Sequence, residues 1–156
     1  MELFNPSPFW SFPEIKCVCH THPTNTNKIL CSGDIIDFAS KRLFPDQVVR
    51  NGIISCVVPY ATPGILLREE IKKSVLEFIV DNGFFPKLIL LKNHGIITAS
   101  TSVQEAIVST LMCEKSAEIF IGAKMLSNIQ FLTQDEVDAV NTHPSEKYRR
   151  SLIQWK

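Results

Sequence analysis

Two short histidine-bearing stretches constrain this chain more than anything else in it: residues 16–23 (KCVCHTHP) and residues 91–95 (LKNHG). The first reads as a strand, with Cys17, Cys19 and Thr21 on one face and Val18, His20 and His22 on the other. Two imidazoles two residues apart on one side of a strand can grip a single cation. Pro23 cannot donate to a ladder, so the strand should stop there, at a sheet end where a site can open. His94 follows the apolar run of residues 88–91 (LILL) and precedes a glycine, which places it on a turn at another strand end. His20, His22 and His94 would together give a three-nitrogen metal site with room for water or substrate, the layout of a catalytic zinc rather than a closed structural one. An isolated H-x-H pair is weak evidence by itself, because many such histidines are satisfied by ordinary hydrogen bonds. Cys17-x-Cys19 beside His20 offers a rival thiolate–imidazole site, but in a strand those cysteines face away from the histidines.

The alternation of the remaining segments sets the fold class. Residues 14–22 form the first strand. Residues 24–37 can begin a helix capped by Thr24 or Asn25, interrupted at Ser32-Gly33. An amphipathic pattern resumes over 34–43, and Pro45-Asp46 marks a turn. Two strands are expected at 47–50 and 53–59, joined as a hairpin by Asn51-Gly52. Pro63-Gly64 opens a helix over 65–80 with Leu67, Ile71, Val75, Phe78 and Ile79 at helical spacing, stopped by Asn82-Gly83. Strands at 87–92 and 96–99 flank the His94-Gly95 turn. Ser102-x-x-Glu105 is a capping box for the longest helix, about 103–126, and Thr133-x-x-Glu136 repeats the device for a short one. The tail over 145–156 is polar and basic, good for one more turn at most. This order predicts an α/β domain, a three-layer α/β/α sandwich with a mixed or antiparallel central sheet.

A chain of 156 residues is long enough for one domain with a real core, divided as an aromatic, proline-rich N-terminal arm (1–13) and a domain over 14–156. The arm carries Phe4, Phe9, Trp10 and Phe12, and is expected to pack on the domain or on a neighbouring subunit. It has neither the basic nor the continuous apolar region of a secretory signal. Sixteen basic and sixteen acidic residues cancel, so no basic field suggests nucleic acid or an anionic membrane. No apolar run approaches the ~20 residues that span a bilayer. Five cysteines, an odd number set mostly in apolar contexts, point to reduced thiols and a cytoplasmic protein. His143 sits among polar residues and reads as a loop histidine, not a fourth ligand.

The segments CVCHTHPT, VVPYATPG and LLKNHGIITAS, in that order, resemble the class II aldolase and adducin head domain family. That group includes fuculose-phosphate and rhamnulose-phosphate aldolases and ribulose-phosphate 4-epimerase. The likeness runs from about Lys16 to about Leu126. It implies a Zn2+ or other divalent ion on His20, His22 and His94, and a lyase that cleaves a sugar phosphate through a metal-stabilised enediolate. It also implies a homo-oligomer, a cyclic tetramer, with a small-molecule sugar phosphate as partner. The alternatives it leaves are 4-epimerisation, and a non-catalytic adducin-like scaffold or a metal-binding remnant.

As the resemblance has it, relatives carry a longer segment before H-x-H, with a phosphate loop rich in glycine and serine and a glutamate that works beside the metal. Here 19 residues precede His20 and the first glycine is Gly33, so the chain is expected to be a member shortened at its N-terminus. Glu2 stands at about the right distance to echo that glutamate and Glu14 does not, but Glu2 reads as a solvated terminal charge. Leu43-Phe44-Pro45-Asp46 stands where some of these aldolases have a tyrosine. Tyr60 is expected to hold the wall of the site. These motifs mark no residue as the catalytic acid or base.

Overall fold

The computed structural model describes residues 12–13 and 15–144. Most of the expected aromatic arm, up to residue 11, and the tail from residue 145 lie outside the described residues. Among those described, ten elements follow in order: β1 (Cys17–Thr21), α1 (Thr24–Leu30), α2 (Ile35–Ser40), α3 (Pro45–Asn51), β2 (Cys56–Val58), α4 (Ile65–Asn82), β3 (Leu88–Leu91), β4 (Gly95–Ser100), α5 (Val103–Leu126) and α6 (Gln134–Thr142).

The strands form one sheet in the order β1-β4-β3-β2. β4 is antiparallel to both β1 and β3, and β2 is parallel to β3. The sheet is therefore mixed, and β1, β2 and β3 all end at the same side of it, where β4 begins. Strands β2, β3 and β4 send alternate side chains to two cores. Ile89 and Leu91 of β3, Ile97 and Ala99 of β4, and Cys56 and Val58 of β2 pack with Leu67, Ile71, Val75 and Phe78 of α4. Leu88, Leu90 and Ile96 pack on the opposite side with Ile29 and Leu30 of α1, Ile35 and Phe38 of α2, and Cys113, Ala117 and Phe120 of α5. Period-two alternation with apolar residues on both faces is what a central, doubly covered strand requires, and β3 is buried throughout. The three-layer sandwich expected from the sequence is present. Of the arm, Phe12 lies against Phe85, ring centroids 4.6 Å apart, at the margin of the α4 core.

One expected supersecondary unit is absent. Residues 47–50 are not a strand and Asn51-Gly52 is not a hairpin turn. Residues 45–51 form α3, and only Cys56–Val58 of the second expected strand enters the sheet, parallel to β3. Pro45 stands in the first turn, where its missing N–H costs nothing, and the Gln47 side chain accepts from the Leu43 N–H at 2.8 Å. Gly52, at φ 84, ends the helix. A glycine that tolerates positive φ suits a helix end as well as a hairpin, so the dipeptide alone does not choose between them. Tertiary contact chooses: Asn51 is buried and donates from Nδ2 to Ser109 O on α5, while Ser109 Oγ donates back to Arg50 O. The helices expected over 24–37 and 34–43 are also shorter, ending at Leu30 and Ser40. The end at Ser40 lets the chain turn inward at Arg42.

Arg42 is 1% exposed, and its guanidinium donates to four backbone carbonyls and one hydroxyl. Nε donates to Gly52 O, Nη1 to Phe38 O, Ala39 O and Lys41 O, and Nη2 to Ser55 Oγ. Burial lowers its pKa to about 10, which still leaves it charged at neutral pH, and the Cys113 thiol opposes the shift. One side chain thus ties together the end of α2, the end of α3 and the entry to β2. Arg42→Met should strip donors from several buried carbonyls and lower the unfolding free energy by about 3 kcal/mol or more, read as a shift of the urea midpoint. A change under about 1 kcal/mol would contradict this role.

Candidate metal centre

The three histidines meet where β1, β2 and β3 end. His20 lies opposite Ile97 in the β1–β4 ladder and so faces the α4 side of the sheet, as does His22 two residues on. Their ring centroids are 4.7 Å apart, and each lies about as far from His94, at 5.0 and 5.1 Å. All three present a ring nitrogen within 4.8 Å of the others, and the Nε2 atoms of His20 and His22 are 3.1 Å apart. A tetrahedral zinc with three imidazole ligands needs ring nitrogens about 3.3 Å apart. The His20–His22 pair is close to that spacing, and the His94 nitrogen lies within 4.8 Å of both.

His20 Nδ1 donates to the carbonyl of Ile96 at 2.9 Å. A carbonyl can only accept, so this bond places the proton on Nδ1 and directs the Nε2 lone pair at the other two rings, the usual arrangement around a ligating histidine. His20 and His94 are half-buried and His22 is exposed, so the cluster is open on one side. Neutral nitrogen donors, a fixed tautomer and an open face fit a divalent cation with a vacant coordination position. Among the described residues no Asp, Glu or Cys belongs to the cluster. Cys19 pairs with Thr98 and Cys17 with Ser100, on the α5 side of the sheet, so the rival thiolate–imidazole site is not assembled. His143 ends α6 and is outside the cluster, as expected, and Tyr60 lies two residues past β2, largely exposed.

The His94 limb is clamped by three successive N–H groups. Lys92 N donates to Val58 O at the end of β2, Asn93 N to Leu30 O at the end of α1, and His94 N to Leu91 O in β3. Asn93 turns the chain at φ 55, a left-handed conformation that asparagine tolerates better than most residues. On the His22 limb, the N-cap of α1 is Pro23, which has no capping side chain, so the expected Thr24 or Asn25 cap is absent. Glu114, on α5, does that work from outside: its carboxylate accepts from Asn25 N, Thr26 N and Thr26 Oγ1, each at 2.9 Å. Burial pushes the Glu114 carboxyl upward, but the hydrogen bonds from Asn25 and Thr26 outweigh it and hold the group below its ordinary range. Glu114 is far from the motif in sequence, and no local pattern flags it.

Gly95 has a role beyond turning the chain. A Cβ placed there would lie 2.3 Å from His22 Cδ2 and 2.6 Å from the Thr21 carbonyl oxygen. The imidazole would have to swing away, and the end of β1 would have to shift by a few tenths of an ångström to free the carbonyl. Gly95→Ala should leave a folded protein, at a cost of about 1–3 kcal/mol, with zinc binding weakened more than ~10-fold in calorimetric titration. Wild-type affinity in that variant would show that zinc binding does not depend on where His22 packs against Gly95.

Residues 9–121 match the family model described as class II aldolase and adducin N-terminal domain. The chain is 27% identical over 126 residues to a Haemophilus influenzae protein named 3-oxo-tetronate 4-phosphate decarboxylase, covering 80% of this chain and 56% of the relative. It is 30% identical over 138 residues to the Escherichia coli K12 protein of the same name, covering 86% of this chain and 60% of that one. The chain thus spans somewhat over half the length of these curated relatives. Among solved structures, an L-fuculose 1-phosphate aldolase superposes with a TM-score of 0.70 at 19% identity, over 92% of this chain and 60% of the other. YgbL from Klebsiella pneumoniae, titled a putative aldolase/epimerase/decarboxylase, superposes at 0.69 with 26% identity, over 86% and 61%. The fold and the matched segment give one answer, and the chain belongs to the class II aldolase and adducin N-terminal domain family.

Proposed function

We propose that this domain is a zinc-dependent lyase acting on a small sugar phosphate, and that its reaction is loss of CO2 from a 3-oxo acid. The convergence of His20, His22 and His94 at one sheet end carries the reading. When bound there, a divalent cation supplies electrophilic stabilisation to the oxyanion that develops as a C–C bond next to a carbonyl breaks. The histidines hold the cation, and the Ile96 carbonyl holds His20 in the ligating tautomer.

Decarboxylation and aldol cleavage share that developing enediolate and differ in what else they demand. In a 3-oxo-tetronate 4-phosphate the C1–C2 bond breaks, its electron pair passes toward C2 and the C3 oxygen, CO2 leaves, and water returns one proton to C2. The departing carboxylate is already ionised, so no group has to remove a proton first. Retro-aldol cleavage must also deprotonate a hydroxyl, which calls for a positioned base. Loss of CO2 therefore asks less of the groups around the cation than aldol cleavage does. The names of the two bacterial relatives favour the same choice.

The chain loaded with zinc should release CO2 from 3-oxo-tetronate 4-phosphate, and His94→Ala should lower that rate by ~100-fold or more. Aldehyde release from L-fuculose 1-phosphate without any CO2 release would move the reaction to aldol cleavage. Neither product, with zinc demonstrably bound, would sink the lyase reading and leave a domain that binds metal or serves assembly.

A further inference from the structure

We infer that Glu114 is a positioning residue for the metal centre, setting His22 against His94 through helix α1. The inference rests on the metal-binding reading of the three histidines.

Helix α1 is seven residues long, about 10 Å, and connects the two limbs of the site. A helix of two turns is unstable alone, and this one has no acidic residue in its first turn and no side-chain cap of its own. Glu114 supplies what is missing. One carboxylate oxygen accepts from Asn25 N and the other from Thr26 N and Thr26 Oγ1, so the start of α1 is gripped by a two-pronged anion. Only Pro23 and Thr24 separate that grip from His22, and the proline ring fixes its own φ at −68. At the other end Leu30 O accepts from Asn93 N, one residue before His94. Thr26 and Leu30 are fully buried between the grips, and Thr26 Oγ1 lies 3.7 Å from Cys113 Sγ, so the strut cannot slide freely on α5.

The sheet fixes His20 through the β1–β4 ladder. His22 lies one residue beyond that ladder, and His94 lies on the turn before β4. Their mutual spacing therefore depends on α1 as well as on the sheet, and Glu114 is the anchor of α1. A purely structural cap would change stability and leave the ligand geometry alone. The capping box of α6, in which Glu136 bonds to Thr133, is such a cap and serves as the control.

The test measures zinc affinity by chelator competition, the visible spectrum of the Co2+-substituted protein, and the melting temperature of the metal-free protein, for wild type, Glu114→Gln and Glu136→Gln. Glu114→Gln should bind one zinc at least ~10-fold more weakly and change the Co2+ absorption. Glu136→Gln should lower the melting temperature with affinity and spectrum unchanged. If Glu114→Gln does not fold, Thr26→Val, which removes one of the three hydrogen bonds, should weaken zinc several-fold. Zinc bound as tightly by the folded Glu114 or Thr26 variant as by wild type, with an unchanged Co2+ spectrum, overturns the inference alone. No zinc on wild type overturns the metal-centre reading, and the inference with it.

Discussion

The whole arrangement depends on one close approach, the backbone of β4 passing under the end of β1 at Gly95. The position has no room for a side chain, because His22 and the Thr21 carbonyl occupy the space a Cβ would take. That contact brings the H-x-H limb over the start of β4, one residue from His94. A methyl group there would push His22 away from His20 and His94. The glycine is a steric requirement of the site rather than a relaxation of the backbone.

Around that contact the fold divides its labour in a physically sensible way. β3 is wholly apolar and buried on both faces, so it can carry no polar chemistry within the sheet. The histidine cluster sits just past its end, where the chain leaves the two cores and backbone groups need new partners. The three N–H groups of Lys92, Asn93 and His94 find them in β2, α1 and β3. The same bonds that satisfy the turn also fix the histidine it carries. Arg42 performs a similar service deeper in the protein, binding helix ends and the entry of β2 with one buried cation.

Much of this was legible in the residues themselves. The alternation of Val18, His20 and His22 against Cys17, Cys19 and Thr21 is a local property of a strand, and the ladder preserves it. The stop at Asn82-Gly83 and both capping boxes are also local, and Gly83 ends α4 in the left-handed conformation as expected. At Ser102 only half of the box forms as drawn, since Glu105 turns its carboxylate to Thr101 instead. What failed, or stayed invisible, was decided by distant parts of the chain. Asn51-Gly52 became a helix end because Asn51 is buried against Ser109, 58 residues away. Glu114 caps a helix 88 residues upstream, and nothing near it in sequence marks it as different from the other acids of α5.

The most direct measurement is the metal content of the purified protein after equilibration with zinc, for wild type and for the double variant His20→Ala/His22→Ala. One zinc per wild-type chain, absent from the folded double variant, is the predicted result. A wild-type chain that folds and holds no zinc, or a double variant that retains it, would contradict the three-imidazole centre on which the account stands.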